Sequence, residues 1–334
     1  MKANKDNRIK LMFLAIQRDH FDQFRTSFEE CSKIYDVNNN LRNTSEDSAV
    51  HVAAQHGRLS ILRYLIEEKG AFVDLKNSNR KTPLHDAAQF SQCEVVEYLI
   101  DKGGDVNALK NADWTPLMLA CTKPRLDVVS ILIKNGADPL FRNKDGWNSF
   151  HVASREGGVD MLQLLVSELT NRTVERIDRL VNSSSKNGRR PLHTAALNGR
   201  FAAVEYLLTN NFAAVNEVDN CGTTALMDSV RSGSTEIFDL LVKFGAEITR
   251  RNKAGFNCLH IAAEVGFTNV IVHLVQLYNF DVNALTLHGH MTAVQIAKKE
   301  KHESAVKTLE MLSDSLTLSH RNKCCVGMVS SCGQ

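Results

Sequence analysis

Apolar and small residues along this chain keep a common step. A tetrapeptide of the form T-P-L-H begins at Ser48, Thr82, Thr115, Asn148, Arg190, Thr224, Asn257 and Thr292, at intervals of 34, 33, 33, 42, 34, 33 and 35 residues. Five positions after each start stands a small residue: Ala53, Ala87, Ala120, Ala153, Ala195, Ser229, Ala262 and Ala297. Nine after it stands Gly57, Gly157, Gly199, Gly233 or Gly266, with Ser91, Pro124 and Lys301 in the other copies. Seventeen after it stands leucine in every copy: Leu65, Leu99, Leu132, Leu165, Leu207, Leu241, Leu274 and Leu309. Self-similarity at this period marks a stack of repeated units.

Each position has a physical reading. Alanine lets two short helices approach closely. Glycine ends the first helix, where a left-handed residue costs least. Leucine occupies the inner face of a second helix, with apolar neighbours such as Val95, Val96, Tyr98 and Ile100 at helical offsets. Gly103–Asn107 and Gly136–Pro139 then turn the chain outward. One unit of about 33 residues cannot bury its own apolar face, so the copies must stack. The pattern therefore predicts an all-α solenoid of about eight helix–turn–helix repeats with projecting β-hairpin loops, spanning residues 43–312.

The ends break the pattern in ways that suit caps. Residues 1–42 lack the tetrapeptide but space Leu11, Leu14, Ala15, Phe21, Phe24 and Phe28 helically, as an N-terminal capping half-unit would. In the last copy Lys298, Lys299, Glu300, Lys301 and Glu310 put charge where inner copies are apolar or small. Residues 313–334 turn Ser-rich and read as a flexible tail. The long interval implies an insertion around 167–187, where Val174, Ile177, Leu180 and Val181 suggest a longer second helix or one extra turn. A tolerated loop is the default reading of such an insertion, and a partner contact the alternative.

Composition narrows the function classes. With 40 basic and 38 acidic residues the net charge is +2, which argues for neither a nucleic-acid nor a membrane-surface protein. No apolar run approaches the roughly 18–20 residues of a membrane span. The stretch Leu11–Ile16 is too short for the core of a secretory signal. A monomer in the cytoplasm, with the nucleus also open to it, is the expectation. Among the eight cysteines no C-x-x-C or zinc-type spacing occurs, so isolated reduced thiols are expected, and no metal. Cys324, Cys325 and Cys332 near the C-terminus could carry a lipid but lack a basic cluster or prenylation box.

His51, His85, His151, His193 and His260 share the fourth motif position, one repeat apart, which points to hydrogen bonds between neighbouring turns. No nucleophile–base pair, phosphate-binding glycine loop or paired-carboxylate motif appears, so neither an enzyme nor a cofactor is expected. Departures from the repeat lie on the hairpins. The two tryptophans of the chain, Trp114 and Trp147, immediately precede the tetrapeptide in adjacent copies and should be neighbours. Tryptophan is enriched at binding hot spots, although each indole could instead pack on its own hairpin. Asp113 and Arg142 accompany them as candidate partner contacts. Lys144 and Lys186 stand four residues before their tetrapeptides, with Lys110 one place off register and Arg189, Arg190, Arg250, Arg251 and Lys253 continuing a basic rim. That rim is either a solvated face or a surface for an acidic or phosphate-bearing partner.

Period and motif together resemble the ankyrin repeat. Within that group, the segments Ala112–Met118, Asn143–His151, Ser154–Gly157 and Asp219–Gly222 are similar to the family of ankyrin repeat domain-containing protein 16, over about Asp47 to Leu312. The resemblance implies a companion of alanyl-tRNA synthetase that binds its catalytic domain and accepts misactivated serine on lysine side chains, a stoichiometric acceptor rather than an enzyme. Discriminating serine from alanine is hard for a pocket, because an added hydroxyl is weakly rejected. By position Lys144 matches one acceptor of that family. A second falls on Asn111, beside Lys110, and a third aligns near Asn182, with Lys186 the nearest amine. Three readings follow: a synthetase-binding quality-control factor, a general ankyrin adaptor whose lysines are surface charge, and an aminoacyl transferase or hydrolase.

Overall fold

The computed structural model describes residues 2–38, 41–170 and 174–328. The chain falls into two compact units, Met1–Ser185 and Lys186–Gln334. The division comes at the end of the insertion that interrupts the 33-residue step.

In the first unit the helices Lys2–Gln17 and Phe21–Ser32 precede four pairs. These are Ala49–Gln55 with Leu59–Arg63 (continued by a π-turn, Tyr64–Glu68), Pro83–Gln89 with Cys93–Asp101, Pro116–Ala120 with Leu126–Lys134, and Ser149–Glu156 with Val159–Thr170. First helices pack on first helices in chain order, beginning with Lys2–Gln17 on Ala49–Gln55, and second helices pack on second helices. The second unit repeats the plan with Pro191–Leu197 and Phe201–Thr209, Ala225–Arg231 and Thr235–Lys243, Cys258–Val265 and Thr268–Tyr278, and Ala293–Lys299 and Glu303–Met328.

The register leucines explain the packing. All eight, from Leu65 to Leu309, have no exposed surface, and the small residues five after each start are at most 2% exposed. The ninth-position glycines are left-handed, from Gly199 at φ 67° to Gly157 at 85°, and Ser91 and Lys301 adopt the same turn at 59° and 63°. At the tetrapeptide's first position Ser48, Thr115, Asn148, Thr224, Asn257 and Thr292 each accept a backbone N–H from three residues on, capping the first helix.

Among the described residues no strand forms, and the only bridges, Arg42 with Ser48 and Val218 with Thr224, are isolated. The projecting loops are turns, each closed by a backbone bond such as Asn77 N–H to Lys81 O or Asn143 N–H to Trp147 O. Four or five residues reverse the chain, too few for paired strands. The insertion lengthens the second helix to 12 residues, against 9 in Cys93–Asp101, and adds a helix of its own, Val174–Val181, with Leu180 and Val181 buried. The last helix runs to Met328, through the stretch from Ser313 read as a tail, while Cys332 lies outside the described residues.

The motif histidines link copies. In His85 the Nδ1 accepts the Thr82 N–H at 3.1 Å, which leaves the proton on Nε2 to donate to Trp114 O in the next copy at 3.0 Å. His51, His193 and His260 reach Lys81 O, Thr223 O and Ala284 O in the same way at 2.9–3.1 Å. Burial holds all four below the ordinary histidine value, His85 at about 4. Protonation would break the Nδ1 acceptor bond. A histidine depressed from 6.5 to about 4 contributes stability fully above pH 6.5, and that contribution is lost as pH falls to about 4. For His85 the full shift corresponds to about 3 kcal/mol. Urea unfolding should therefore show a less stable protein at pH 5 than at pH 7. His85→Gln should flatten that slope, since Gln295 already serves this position through its amide oxygen, 2.9 Å from Thr292 N.

Candidate functional site: the tryptophan–arginine ladder

Trp114 and Trp147 end successive turns, each one residue before a helix cap. Both are half-buried. Between them lies Arg155, in the last turn of helix Ser149–Glu156, two helical turns on from Trp147. Its guanidinium carbon is 6.0 Å from the Trp114 ring centre and 5.6 Å from that of Trp147. Trp147 also stacks on His151, centres 6.0 Å apart and planes 24° apart. On the other side, Lys110 Nζ sits 5.8 Å from the Trp114 ring. The result is a ladder of cation, indole, cation, indole and imidazole across two copies. Each cation–π contact of this kind is worth about 0.5–1 kcal/mol at an exposed site.

Charges around the ladder are held in place. Arg155 bonds Glu156 Oε1 through Nε and Nη2 at 2.9 and 2.7 Å. Lys81 pairs with Asp86 at 2.5 Å and with Gln89 at 2.8 Å. The Lys110 amine is half-buried, and burial first, then the charge of Lys81, draws it below the usual lysine value, with Asp86 opposing. A lowered lysine has more neutral amine at pH 7 than an exposed one.

The structure thus brings together Trp114, Trp147 and Lys110. Asp113 lies beside them, its N–H on Lys110 O at 2.9 Å and its φ at 58°. Ala112 is left-handed as well, at 62°. Glycine fills the Asp113 position in other turns, as Gly146, Gly222 and Gly255. Replacing Ala112 by glycine should relieve the strain and raise stability by about 0.5–1 kcal/mol in urea unfolding.

Arg142 is occupied structurally. Its Nε donates to Gly146 O of its own turn at 3.0 Å and its Nη2 to Ser184 O, one copy on. Arg42 does the same with Glu46 O and Lys76 O, and Arg251 with Gly255 O and Leu285 O. All three stand six residues before their tetrapeptide, so this part of the basic rim is a row of staples. Lys144 is exposed, its backbone N–H on Ala112 O at 3.0 Å. Lys186 is exposed in the second unit, its carbonyl accepting from Asn220 Nδ2 at 2.9 Å. Asn182 bonds Asp178 at 2.6 Å. Sequence reasoning missed Arg155, whose position on the first helix carries no repeat signal. Its two-turn offset from Trp147 was the available clue.

Among the described residues no group of three His, Cys, Asp or Glu side chains is placed to hold a metal ion, and no helix is long and apolar enough to cross a membrane. Cys31, Cys121 and Cys258 are buried free thiols, the last two pushed up to about 12 by burial.

A family model described as ankyrin repeats (3 copies) matches residues 11–110, 105–176 and 167–252. The chain belongs to the ankyrin repeat family. Its ankyrin repeats are 46% identical over 54 residues to the Notch-regulated ankyrin repeat-containing protein A of Danio rerio, 16% of this chain and 48% of that protein. They are 43% identical over 56 residues to the human protein phosphatase 1 regulatory subunit 27, 17% of this chain and 36% of that protein. The chain thus spans half or less of the length of these relatives. The crystal structure of the human ASB11 ankyrin repeat domain matches with a TM-score of 0.56 and 27% identity, over 65% of this chain and 92% of that one.

Proposed function

We propose that this ankyrin repeat protein is a non-enzymatic adaptor whose protein partner docks on the Trp114–Arg155–Trp147 ladder of the first unit. The observation that carries the reading is the ladder itself. The repeat needs neither indole, yet both stand half-exposed on adjacent turns, fixed by Arg155. Rigid aromatic side chains beside an ordered arginine are what binding hot spots use. The likeness to a phosphatase regulatory subunit supports a regulatory rather than catalytic role. Partners captured by the intact chain should be lost from a Trp114→Ala/Trp147→Ala variant that unfolds at the same urea concentration. Each substitution should weaken binding by about 2 kcal/mol, roughly thirty-fold. Equal capture by both proteins would place the partner elsewhere.

A narrower form of the proposal takes alanyl-tRNA synthetase as the partner and serine capture as the purpose. It rests on the sequence resemblance and on the exposure of Lys144. The neutral amine would attack the carbonyl of the seryl adenylate; a C–N bond forms, the acyl–phosphate C–O bond breaks, and AMP leaves while the amine loses its proton. The resulting amide does not turn over. Of the three amines, Lys110 has the depressed proton affinity that such attack favours, and Lys144 the access. Intact-mass measurement after incubation with the synthetase, serine and ATP should show serine-sized additions on the wild-type chain and fewer on Lys144→Arg. Binding without any such additions would leave the adaptor reading alone.

A further inference from the structure

The insertion supplies more than a longer helix. Its helix Val174–Val181 and the residues after it, together with the turn of the fourth copy, line a cleft of about 350 Å³. Leu140 and Arg142 come from the turn, and Asp178, Arg179, Asn182 and Ser183 from the insertion. All belong to the first unit. Arg142 offers a guanidinium held still by its bonds to Gly146 O and Ser184 O, with Nη1 left without an acceptor among the described residues. Arg179, in the last turn of the helix, is exposed and has neither an ion pair nor a hydrogen bond among the described residues. The Ser183 hydroxyl, half-buried in the same cleft, is equally unengaged.

Two positive charges therefore line the cleft with one negative charge, Asp178, whose carboxylate already accepts from Asn182 Nδ2 at 2.6 Å. The carbonyls that could repel an anion at this helix end are taken. Asp178 O accepts the Asn182 N–H and Leu180 O accepts Asn148 Nδ2, both at 2.9 Å, while Ser184 O accepts from Arg142. What remains is a set of donors from two guanidinium groups and a hydroxyl, with Leu140 as the apolar wall. A carboxylate presents two oxygens in one plane, and a single arginine satisfies it; a phosphate ester presents three oxygens and carries up to two charges. We infer that this cleft binds the phosphate group of a monoester, with Arg142 Nη1, the Arg179 guanidinium and the Ser183 hydroxyl as its donors. The volume, at the small end of ligand sites, takes the phosphate together with the group that bears it. The insertion is then a binding element rather than a tolerated loop. The cleft shares no side chain with the tryptophan–arginine ladder and stands independently of it.

Calorimetric titration of the intact chain at low ionic strength tests it, with inorganic phosphate and a capped tripeptide carrying a central phosphoserine as probes. The phosphorylated tripeptide should bind, and its unphosphorylated form should not. A tripeptide at least ten-fold tighter than inorganic phosphate identifies the source of the ester as a phosphorylated partner protein; equal affinity identifies a small free phosphate. In either case Arg179→Gln, at an exposed position, should weaken binding about ten-fold, as expected for one charge-assisted hydrogen bond. Asp178→Asn keeps the oxygen that Asn182 bonds but removes the opposing charge, and should tighten binding about three-fold. Trp114→Ala/Trp147→Ala should leave binding of both probes unchanged. No binding of either probe, or affinity indifferent to Arg179→Gln, overturns the proposal.

Discussion

Leu132→Ala should destabilise the first unit by about 3 kcal/mol, within the 2–5 kcal/mol seen when a buried leucine is truncated. Leu132 lies in helix Leu126–Lys134 with no exposed surface, and its surroundings offer no slack: Val128 and Val129 of the same helix are at most 1% exposed, and Ala120 of the first helix of its copy 2%. Because first and second helices are tied by the repeating turns, the vacated space cannot close by moving one side chain. In a stack each copy is stabilised mainly by its neighbours, so the loss should extend to the copies carrying Trp114 and Trp147. Urea unfolding followed by circular dichroism checks the size. A loss below about 1 kcal/mol would mean that the leucine register does not carry the packing.

Arg189→Ala should cost the second unit a comparable amount, about 3 kcal/mol at pH 7. Asp228 is fully buried in helix Ala225–Arg231, and Arg189 forms an ion pair with it. Burial raises the Asp228 carboxyl to about 6, and Arg189 is the main influence holding it down. A carboxyl raised from 3.8 to about 6 lowers stability as pH rises through that window, opposite in sign to the histidines. Without Arg189 the carboxyl rises further and takes up a proton on folding at neutral pH. The variant should therefore be disproportionately unstable at pH 7–8 and recover toward pH 5. Asp228→Asn in the same background should remove that pH dependence. A variant whose loss is the same at pH 5 and pH 8 would show that the carboxylate is not what Arg189 serves.

Much of this molecule could be read from spacing alone. The register leucines, small residues and left-handed ninth positions recur because every copy solves the same packing problem. The two tryptophans were visible as neighbours for the same reason: a shared register means a shared face. What periodicity hides is contact made by residues outside the motif. Arg155 reaches both indoles only because a helix carries it two turns past Trp147. The rim cations read from sequence as a solvated face or a partner surface, although Arg142 and Arg251 share with Arg42 one offset and one task; recognising it required the carbonyls they bond. Strands were expected where turns stand, since hydrophobic spacing cannot tell a closed turn from the tip of a hairpin. Asp113 adopts the left-handed conformation that other copies give to glycine, a strain that no composition reveals.

Trp114 and Trp147 are the whole tryptophan content of the chain, so this chain's tryptophan fluorescence, excited selectively over its five tyrosines, reports on the ladder alone. Titrating the intact protein with a captured partner, with alanyl-tRNA synthetase as one arm, should shift the emission maximum along the binding curve. The same titration of Trp147→Ala should show the curve displaced about thirty-fold to weaker binding. A partner that binds with unchanged emission, and equally well to Trp147→Ala, would contradict the assignment of the ladder as the docking surface.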